Sequence, residues 1–464
     1  MSEPGAFTFR WCTTNALKAL GYSVAAVALA QLPLLVLSSK YYLVRPLINF
    51  DLVIALLVMV RWPYAGSLAL LAGWAIDGFV GQAMVYHFQN PREFWQAGRF
   101  LSHVHVSELF EPAMVASAML FAAGLASLLA LRQRWKRHWP VLIALGLLSI
   151  GIDTFNGSSA LLSRDTRMIF KNFAGSPSFT ASRYALLSDE LQVLVPLAAG
   201  ESALDRFAIP QWAAEHPNGS IVVVLVESLG LHHSPEVRNW LTSQLIDDAL
   251  RTKFETEVGE VPFRGATTAA ELRLLCGMSG HYRLLDLARG RGCFPARLAA
   301  AGWSTVAMHG FSGEMFDRRQ WWPVIGFQER HFQDERKFYD APRCGIAFRG
   351  LCDLQMIQMG VAGAAKPASF HYVLTLNTHL PFEPLPIGEE AERLCTQIDA
   401  GADACQLIDR LGQVLRDVRQ TLLDSSAKPL VLILGDHSPP FRETSARSQF
   451  DPRSVPAYVL RPRQ

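Results

Sequence analysis

Between Leu17 and Leu37 the chain runs through about twenty residues that are almost all apolar, broken chiefly by Tyr22, Ser23, Gln31 and Pro33. A stretch of that length and character commits this part of the chain to lipid. There it is held as a helix, because every backbone N–H and C=O in hydrocarbon has to be satisfied within the segment. It is not read as a cleaved leader: no small-x-small cleavage site followed by polar sequence comes after it, and further apolar runs do. Those runs are Leu47 to Val60, Tyr64 to Val85, Met114 to Leu131 and Pro140 to Ile152, so about five spans are expected within residues 1–155. The 50% apolar composition agrees with a chain partly in lipid.

Charges within this region are few. Arg61-Trp-Pro63 reads as a tight turn between two spans, and Asp51 and Asp77 stand inside or beside spans. Either acid is an intramembrane functional group or, the more ordinary reading, an interfacial or helix-packing one. Residues 87–107 interleave Phe94, Trp95 and Phe100 with Arg92, Arg99, His103 and His105, the pattern of an interfacial segment. His103-x-His105 is a weak metal motif without a carboxylate nearby. The cluster Arg132-Gln-Arg-Trp-Lys-Arg-His138 fixes an orientation, since Lys and Arg are retained on the cytoplasmic side. With five spans, the N-terminus then lies inside and everything after about Asp153 outside. Residues 156–215 read as an interfacial linker in which Arg164, Arg167 and Lys171 alternate with Met168, Phe170 and Phe173.

The cysteines support export. Cys12 stands alone, whereas Cys276, Cys293, Cys344, Cys352, Cys395 and Cys405 all fall in the second half. An even set confined to one region points to disulfides formed in an oxidising compartment, with 276–293, 344–352 and 395–405 the expected local pairs; buried free thiols are the alternative. No CxxC or Cys/His finger spacing is present. A formal net charge of +2 offers no basic surface for nucleic acid.

From Gly219 the texture becomes that of an α/β fold with a mainly parallel central sheet, exported as residues 216–464. Ile221–Val226, Ser304–His309, His371–Leu376 and Leu430–Leu434 read as buried strands, and Asn239–Leu250 as a helix. In such sheets the sites form at the carboxyl ends of strands. Two strands end in metal-competent groups: Glu227 follows Val226, and Asp436-His437 follows Leu434-Gly435. Carboxylates with a neutral imidazole suit one divalent metal ion, zinc or manganese. The turn Gly265-Ala-Thr-Thr supplies a hydroxyl that a metal would activate as a nucleophile. Thr267 is assigned to the chemistry; Thr268-x-x-Glu271 has the spacing of a capping box.

At these residues the chain resembles the alkaline phosphatase and sulfatase superfamily, and within it the membrane-anchored branch of lipoteichoic acid synthases and phosphoethanolamine transferases. The resemblance rests on Val-Glu-Ser228, Gly265-x-Thr267-x-x-x-Glu271, His309-Gly310 with Phe316-Asp-Arg318, Asn377-Thr-His379-x-Pro-Phe382 and Gly435-Asp-His437. It implies that Glu227, Thr267, Asp436 and His437 hold the metal, with Thr267 also the nucleophile. His379 would bind the phosphate or act on the departing group, and Arg318 would hold the transferred head group. Phe316 stands where that branch commonly has tryptophan.

The implied activity moves a phosphoethanolamine or phosphoglycerol unit from a phospholipid donor, through a phosphothreonine intermediate, to a periplasmic or cell-surface glycan acceptor. The implied location is a bacterial inner membrane, multi-pass, with the bilayer as a partner. A metal-dependent phosphodiesterase or sulfatase, or a silent membrane partner of a polysaccharide synthesis complex, are the alternatives. A formylglycine sulfatase would need Cys/Ser-x-Pro-x-Arg, which Thr267-Thr-Ala-Ala lacks.

Overall fold

The computed structural model describes residues 6–40, 45–46, 48–87, 112–155, 174–178, 193–198, 200–346, 348–383 and 385–463. The chain divides into two compact units, one holding the apolar helices up to residue 155 and the other the α/β fold.

In the first unit α1 (Ala6–Lys40), α2 (Phe50–Arg61), α3 (Pro63–Val85), α4 (Pro112–Ala130) and α5 (Trp139–Phe155) coincide with the five apolar runs. Five spans do not follow. At 12 residues α2 is about 18 Å long, short of a hydrocarbon core of about 30 Å. Among the described residues, Leu17–Ser38 and Pro63–Ala83 are each long and apolar enough to cross. Met114–Ala130 and Arg132–Leu148 make at most one more between them, as a pair bent by 59°. The described residues therefore hold two such helices, or three with the bent pair counted as one span.

Three spans would carry the second unit to the opposite side from the N-terminus, and two would return it to the same side. Arg132 also has local work. Its Nε donates to Met59 O at 2.7 Å and its Nη2 to Val60 O at 2.5 Å, closing the carbonyl end of α2.

The Arg61-Trp-Pro63 turn forms as read. Trp62 N donates to Val58 O at 2.9 Å to end α2, and Pro63 opens α3. Asp51 accepts from Ser176 Oγ and, at 2.8 Å, from Ser178 N, while Asp77 is paired with Arg45. Both acids thus have local partners. The interfacial residues Arg92, Phe94, Trp95, Arg99, Phe100, His103 and His105, and linker residues Arg164, Arg167, Met168, Phe170 and Lys171, lie outside the described residues.

In the second unit seven strands form one sheet: β1 (Ser220–Val226), β2 (Phe254–Pro262), β3 (Ser304–His309), β4 (Glu329–Phe332), β5 (Ser369–Leu374), β6 (Leu430–Gly435) and β7 (Ser454–Pro462), in the order β2-β7-β6-β1-β5-β3-β4. From β6 through β4 every pairing is parallel; β7 and β2 close one edge antiparallel.

The β-branched run of β1 explains its central place, because its alternate side chains serve two layers. Val222, Val224 and Val226 pack with Leu241 of α6 (Pro235–Leu245), Met356 of α9 (Asp353–Gly363) and Leu411 of α10 (Ala402–Asp424). Ile221, Val223 and Leu225 pack with Leu274 of α7 (Thr267–Cys276), Trp322 of α8 (Arg318–Val324) and Phe207. Burying each of these side chains contributes roughly 1.5–3 kcal/mol. Ala203, Leu204, Ile209 and Ala213, placed by sequence in the linker, belong to this second core. The disulfides Cys276–Cys293, Cys344–Cys352 and Cys395–Cys405 form in the expected local pairing.

Candidate active site

The carboxyl ends of the neighbouring strands β1 and β6 deliver the acids. After Val226, Glu227 is buried and Ser228 turns with φ 58, sending its N–H to Asp436 Oδ1 at 2.9 Å and its hydroxyl to Glu227 Oε1 at 2.9 Å. Glu227 N donates to Thr375 Oγ1 at 2.9 Å, and Thr378 Oγ1 donates to Glu227 O at 2.5 Å, tying the loop after β5 to the same corner. On β6, Gly435 lets the backbone approach Leu229 closely; a Cβ there would lie 1.8 Å from Leu229 O. Asp436 Oδ1 also accepts His437 N at 2.7 Å.

Gly265, with φ 79, makes the turn that places Thr267 at the first position of α7. The Thr267 hydroxyl lies 2.9 Å from Asp436 Oδ2, 3.3 Å from Glu227 Oε2 and 3.5 Å from His437 Nε2. His437 Nδ1 sits 3.0 Å from Ser438 O, which can only accept, so Nδ1 carries a proton and Nε2 is the ring nitrogen turned toward the carboxylates. Nε2 is 3.2 Å from Asp436 Oδ2 and 3.7 Å from Glu227 Oε1.

Glu227, Asp436 and His437 can each offer one ligand atom within a set no wider than 4.8 Å. Burial pushes the Asp436 carboxyl up to about 7, and the Glu227 carboxylate beside it adds to the rise. Two buried acids and an imidazole nitrogen converge on one hydroxyl, an oxygen and nitrogen donor set of the kind that fits a divalent cation. The site thus brings Glu227, Thr267, Asp436 and His437 together.

His379 joins at the rim. Its Nδ1 lies 2.5 Å from Leu380 O, which leaves Nε2 unprotonated, and burial lowers its pKa to about 4. Phe348 meets the ring edge-on at 4.6 Å.

Arg318 is not on this rim. It is 2% exposed and committed to Glu271, itself fully buried, through Nε at 3.0 Å and Nη2 at 2.9 Å, while Trp322 Nε1 donates to the other Glu271 oxygen at 3.0 Å. Through Glu271, Arg318 is tied to the helix that starts with Thr267. The capping box fails. Thr267, not a residue after Thr268, begins the helix, Ala266 occupies the cap position without a side-chain bond, and Glu271 points away to Arg318. Phe316 and Asp317 both adopt left-handed backbone, φ 55 and 56, held by Trp321 Nε1 to Phe316 O at 3.1 Å and by Arg283 Nη2 to Asp317 Oδ2 at 2.6 Å. The Phe316 ring lies 5.5 Å from the Arg318 guanidinium carbon.

The sequence motifs included Ser228 and Thr378 without giving either a role, and did not single out Thr375 or Asp353. Asp353 accepts Leu376 N and Asn377 N, each at 2.8 Å, and so fixes the loop that carries His379. Asp353 opens α9, and no local pattern marked it as more than a first-turn acid.

No protein-family model and no curated protein matches the chain. Among solved structures it is similar to the lipoteichoic acid synthase LtaP of Listeria monocytogenes, at 15% identity over 53% of this chain and 66% of that one, TM-score 0.36. It is also similar to the phosphoglycerol transferase GacH of Streptococcus pyogenes in complex with sn-glycerol-1-phosphate, at 16% identity over 52% and 68%, TM-score 0.37. A third is the C-terminal periplasmic domain of EptC of Escherichia coli in complex with zinc, at 14% identity over 53% and 73%, TM-score 0.32. The first alignment spans just under two thirds of the Listeria chain. Similarity of this degree assigns no residue a role.

Proposed function

We propose that this chain is a membrane-anchored, metal-dependent phosphotransferase of the alkaline phosphatase and sulfatase superfamily, which moves a phosphoethanolamine or phosphoglycerol head group from a phospholipid to a glycan. The observation that carries the reading is the Thr267 hydroxyl, half-exposed at a helix start and within 3.5 Å of two buried carboxylates and of His437 Nε2. Glu227, Asp436, His437 and Thr267 would hold one divalent ion, zinc or manganese. When bound, that ion supplies charge neutralisation and lowers the proton affinity of the hydroxyl.

The residues themselves do the rest. Asp436 Oδ2, 2.9 Å away, takes the Thr267 proton as Oγ1 forms its bond to phosphorus; the bond to the diacylglycerol oxygen breaks, and that oxygen takes a proton from solvent to leave as diacylglycerol. The start of α7, with no side chain capping it, favours the negative charge that develops on the phosphoryl oxygens. In the second half a glycan hydroxyl attacks the phosphothreonine and gives its proton to the unprotonated Nε2 of His379; the bond from phosphorus to Thr267 Oγ1 breaks, and Asp436 returns to Oγ1 the proton it took. The apolar helices keep the domain beside a donor that cannot leave the bilayer, in this reading the bacterial inner membrane with the α/β unit outside. The three disulfides support an oxidising compartment.

The test is incubation of the full-length protein, with zinc or manganese, with head-group-labelled phosphatidylethanolamine and phosphatidylglycerol. Diacylglycerol release by wild type and none by Thr267→Ala is expected. Equal release by both, or none by either with both lipids and both metals, overturns the reading. Label released to water without any glycan acceptor identifies a phosphodiesterase instead.

A further inference from the structure

A second imidazole stands beside His437, and the reaction as derived gives it no part. His87 follows the end of α3 by two residues and groups with the α/β unit. Its half-buried ring lies 5.1 Å from the ring of His437, tilted by 35°, and meets Phe263 edge-on at 5.5 Å. Its Nε2 is 2.8 Å from Ser438 O, which can only accept, so Nε2 carries a proton and donates it there.

Ser438 O thus receives two imidazole N–H groups, from His87 Nε2 at 2.8 Å and from His437 Nδ1 at 3.0 Å. A carbonyl oxygen has two lone pairs, and the two histidines use both. Buried Arg447 brings Nη2 to 3.4 Å from His87 Nε2, but with the Nε2 proton turned to Ser438 O this is a contact between donors; Arg447 Nη1 donates to Phe441 O at 3.2 Å. The backbone behind the carbonyl is also confined. A Cβ on Gly230 would lie 2.5 Å from Pro439 Cδ and 3.2 Å from Ser438 Cα, and a residue before proline is restricted to extended backbone. Ser438 O is therefore a fixed point. A histidine that offers one nitrogen to a metal is oriented by the group its other nitrogen donates to, and for His437 that group is this carbonyl.

We propose that His87 is a positioning residue for the metal ligand His437. By taking the second lone pair of Ser438 O it holds the carbonyl that sets the His437 ring plane, and its own ring limits the swing of that imidazole. The inference rests on the reading that Glu227, Thr267, Asp436 and His437 hold a divalent ion. Its consequence is that a fragment beginning after the apolar helices, although it carries all four of these residues, lacks part of the frame that aims one of them.

The test is binding of zinc, with manganese in parallel, to the full-length protein in detergent, measured by competition with a chromogenic chelator. Wild type is compared with His87→Gln, which keeps an N–H donor at similar reach, and His87→Met, which has similar length and no donor. His87→Met is expected to weaken the metal roughly 10–100-fold, the effect of removing an outer hydrogen-bond partner of a ligating histidine, and His87→Gln to stay close to wild type. The electronic spectrum of the cobalt(II)-loaded protein, which reports ligand geometry, is expected to change in His87→Met and to be kept in His87→Gln. Unfolding of the metal-free protein is expected to be alike in all three. The inference is overturned by unchanged affinity in His87→Met, by equal loss in both variants, or by a His87→Met protein that is unfolded without metal, which would make His87 a packing element. Wild type that binds neither metal overturns the metal reading and this inference with it, whereas the other three outcomes leave the metal reading standing.

Discussion

Glu271→Gln removes one negative charge from the centre of the second unit while keeping the side chain's volume and one acceptor. In the native chain burial pushes the Glu271 carboxyl up, and Arg318, bonded to it twice at 2.9 and 3.0 Å, pulls it back. The substitution leaves the guanidinium of Arg318, 2% exposed, without a counter-charge. Removing one member of a buried pair costs about 3–5 kcal/mol, a large share of a typical domain stability of about 5–15 kcal/mol. At roughly 2–4 °C per kcal/mol for a domain of this size, thermal unfolding followed by intrinsic fluorescence should shift down by about 10 °C. Replacing both members, as Glu271→Leu with Arg318→Met, exchanges the pair for apolar volume and should recover most of that loss. Lipid turnover should recover with it, because Arg318 acts through the helix that carries Thr267. A loss below about 1 kcal/mol for Glu271→Gln refutes the energetic argument. A double variant that regains stability yet stays inactive refutes the bracing role and returns Arg318 to the substrate.

Three further outcomes are expected. Chelation should abolish activity and lower the unfolding temperature, and restoring zinc or manganese at about a hundred times its Kd should return about 2.7 kcal/mol, measured by thermal shift; the shift should vanish in Asp436→Asn. His232 and His371, both lowered by burial to about 4 from an ordinary 6.5, are neutral in the fold. Their contribution is therefore present above 6.5 and lost as pH falls toward 4, at up to about 1.4 kcal/mol per pH unit for each histidine; His371→Leu should flatten a denaturation profile over that window. Removing the Cys276–Cys293 bridge by paired alanine substitution should destabilise the unit by about 2–4 kcal/mol in chemical denaturation, since it closes a sequence separation of 17 next to the end of the Thr267 helix.

Much of this architecture was legible because it is written in local pattern. The β1 and β6 strands are almost continuous β-branched or apolar runs, as suits strands buried on both faces, and both end in the acids that form the site; β3 and β5 are buried runs interrupted by Ser or His. Strand β2 was not readable in the same way. β2 lies at the sheet edge and exposes Glu255, Glu257 and Glu260, so no continuous apolar run marks it. The spans were overcounted because apolarity alone does not separate a helix of 12 residues from one long enough to cross. Glu271 was misread because Thr268-x-x-Glu271 satisfies a local rule, whereas its real partner, Arg318, is 47 residues away. Long-range pairing of buried charge leaves no local signature, and for that reason the frame of the site was harder to read than its ligands.

The central claim is that Thr267 becomes covalently phosphorylated by a lipid head group. Its most direct test is peptide mass spectrometry of the full-length protein quenched in acid during turnover of phosphatidylethanolamine or phosphatidylglycerol. The account predicts that the peptide containing Thr267 gains the mass of phosphoethanolamine or phosphoglycerol, that fragmentation places the gain on Thr267, and that a glycan acceptor discharges it. Turnover with no modification at Thr267, or with the head group carried on another residue, contradicts it.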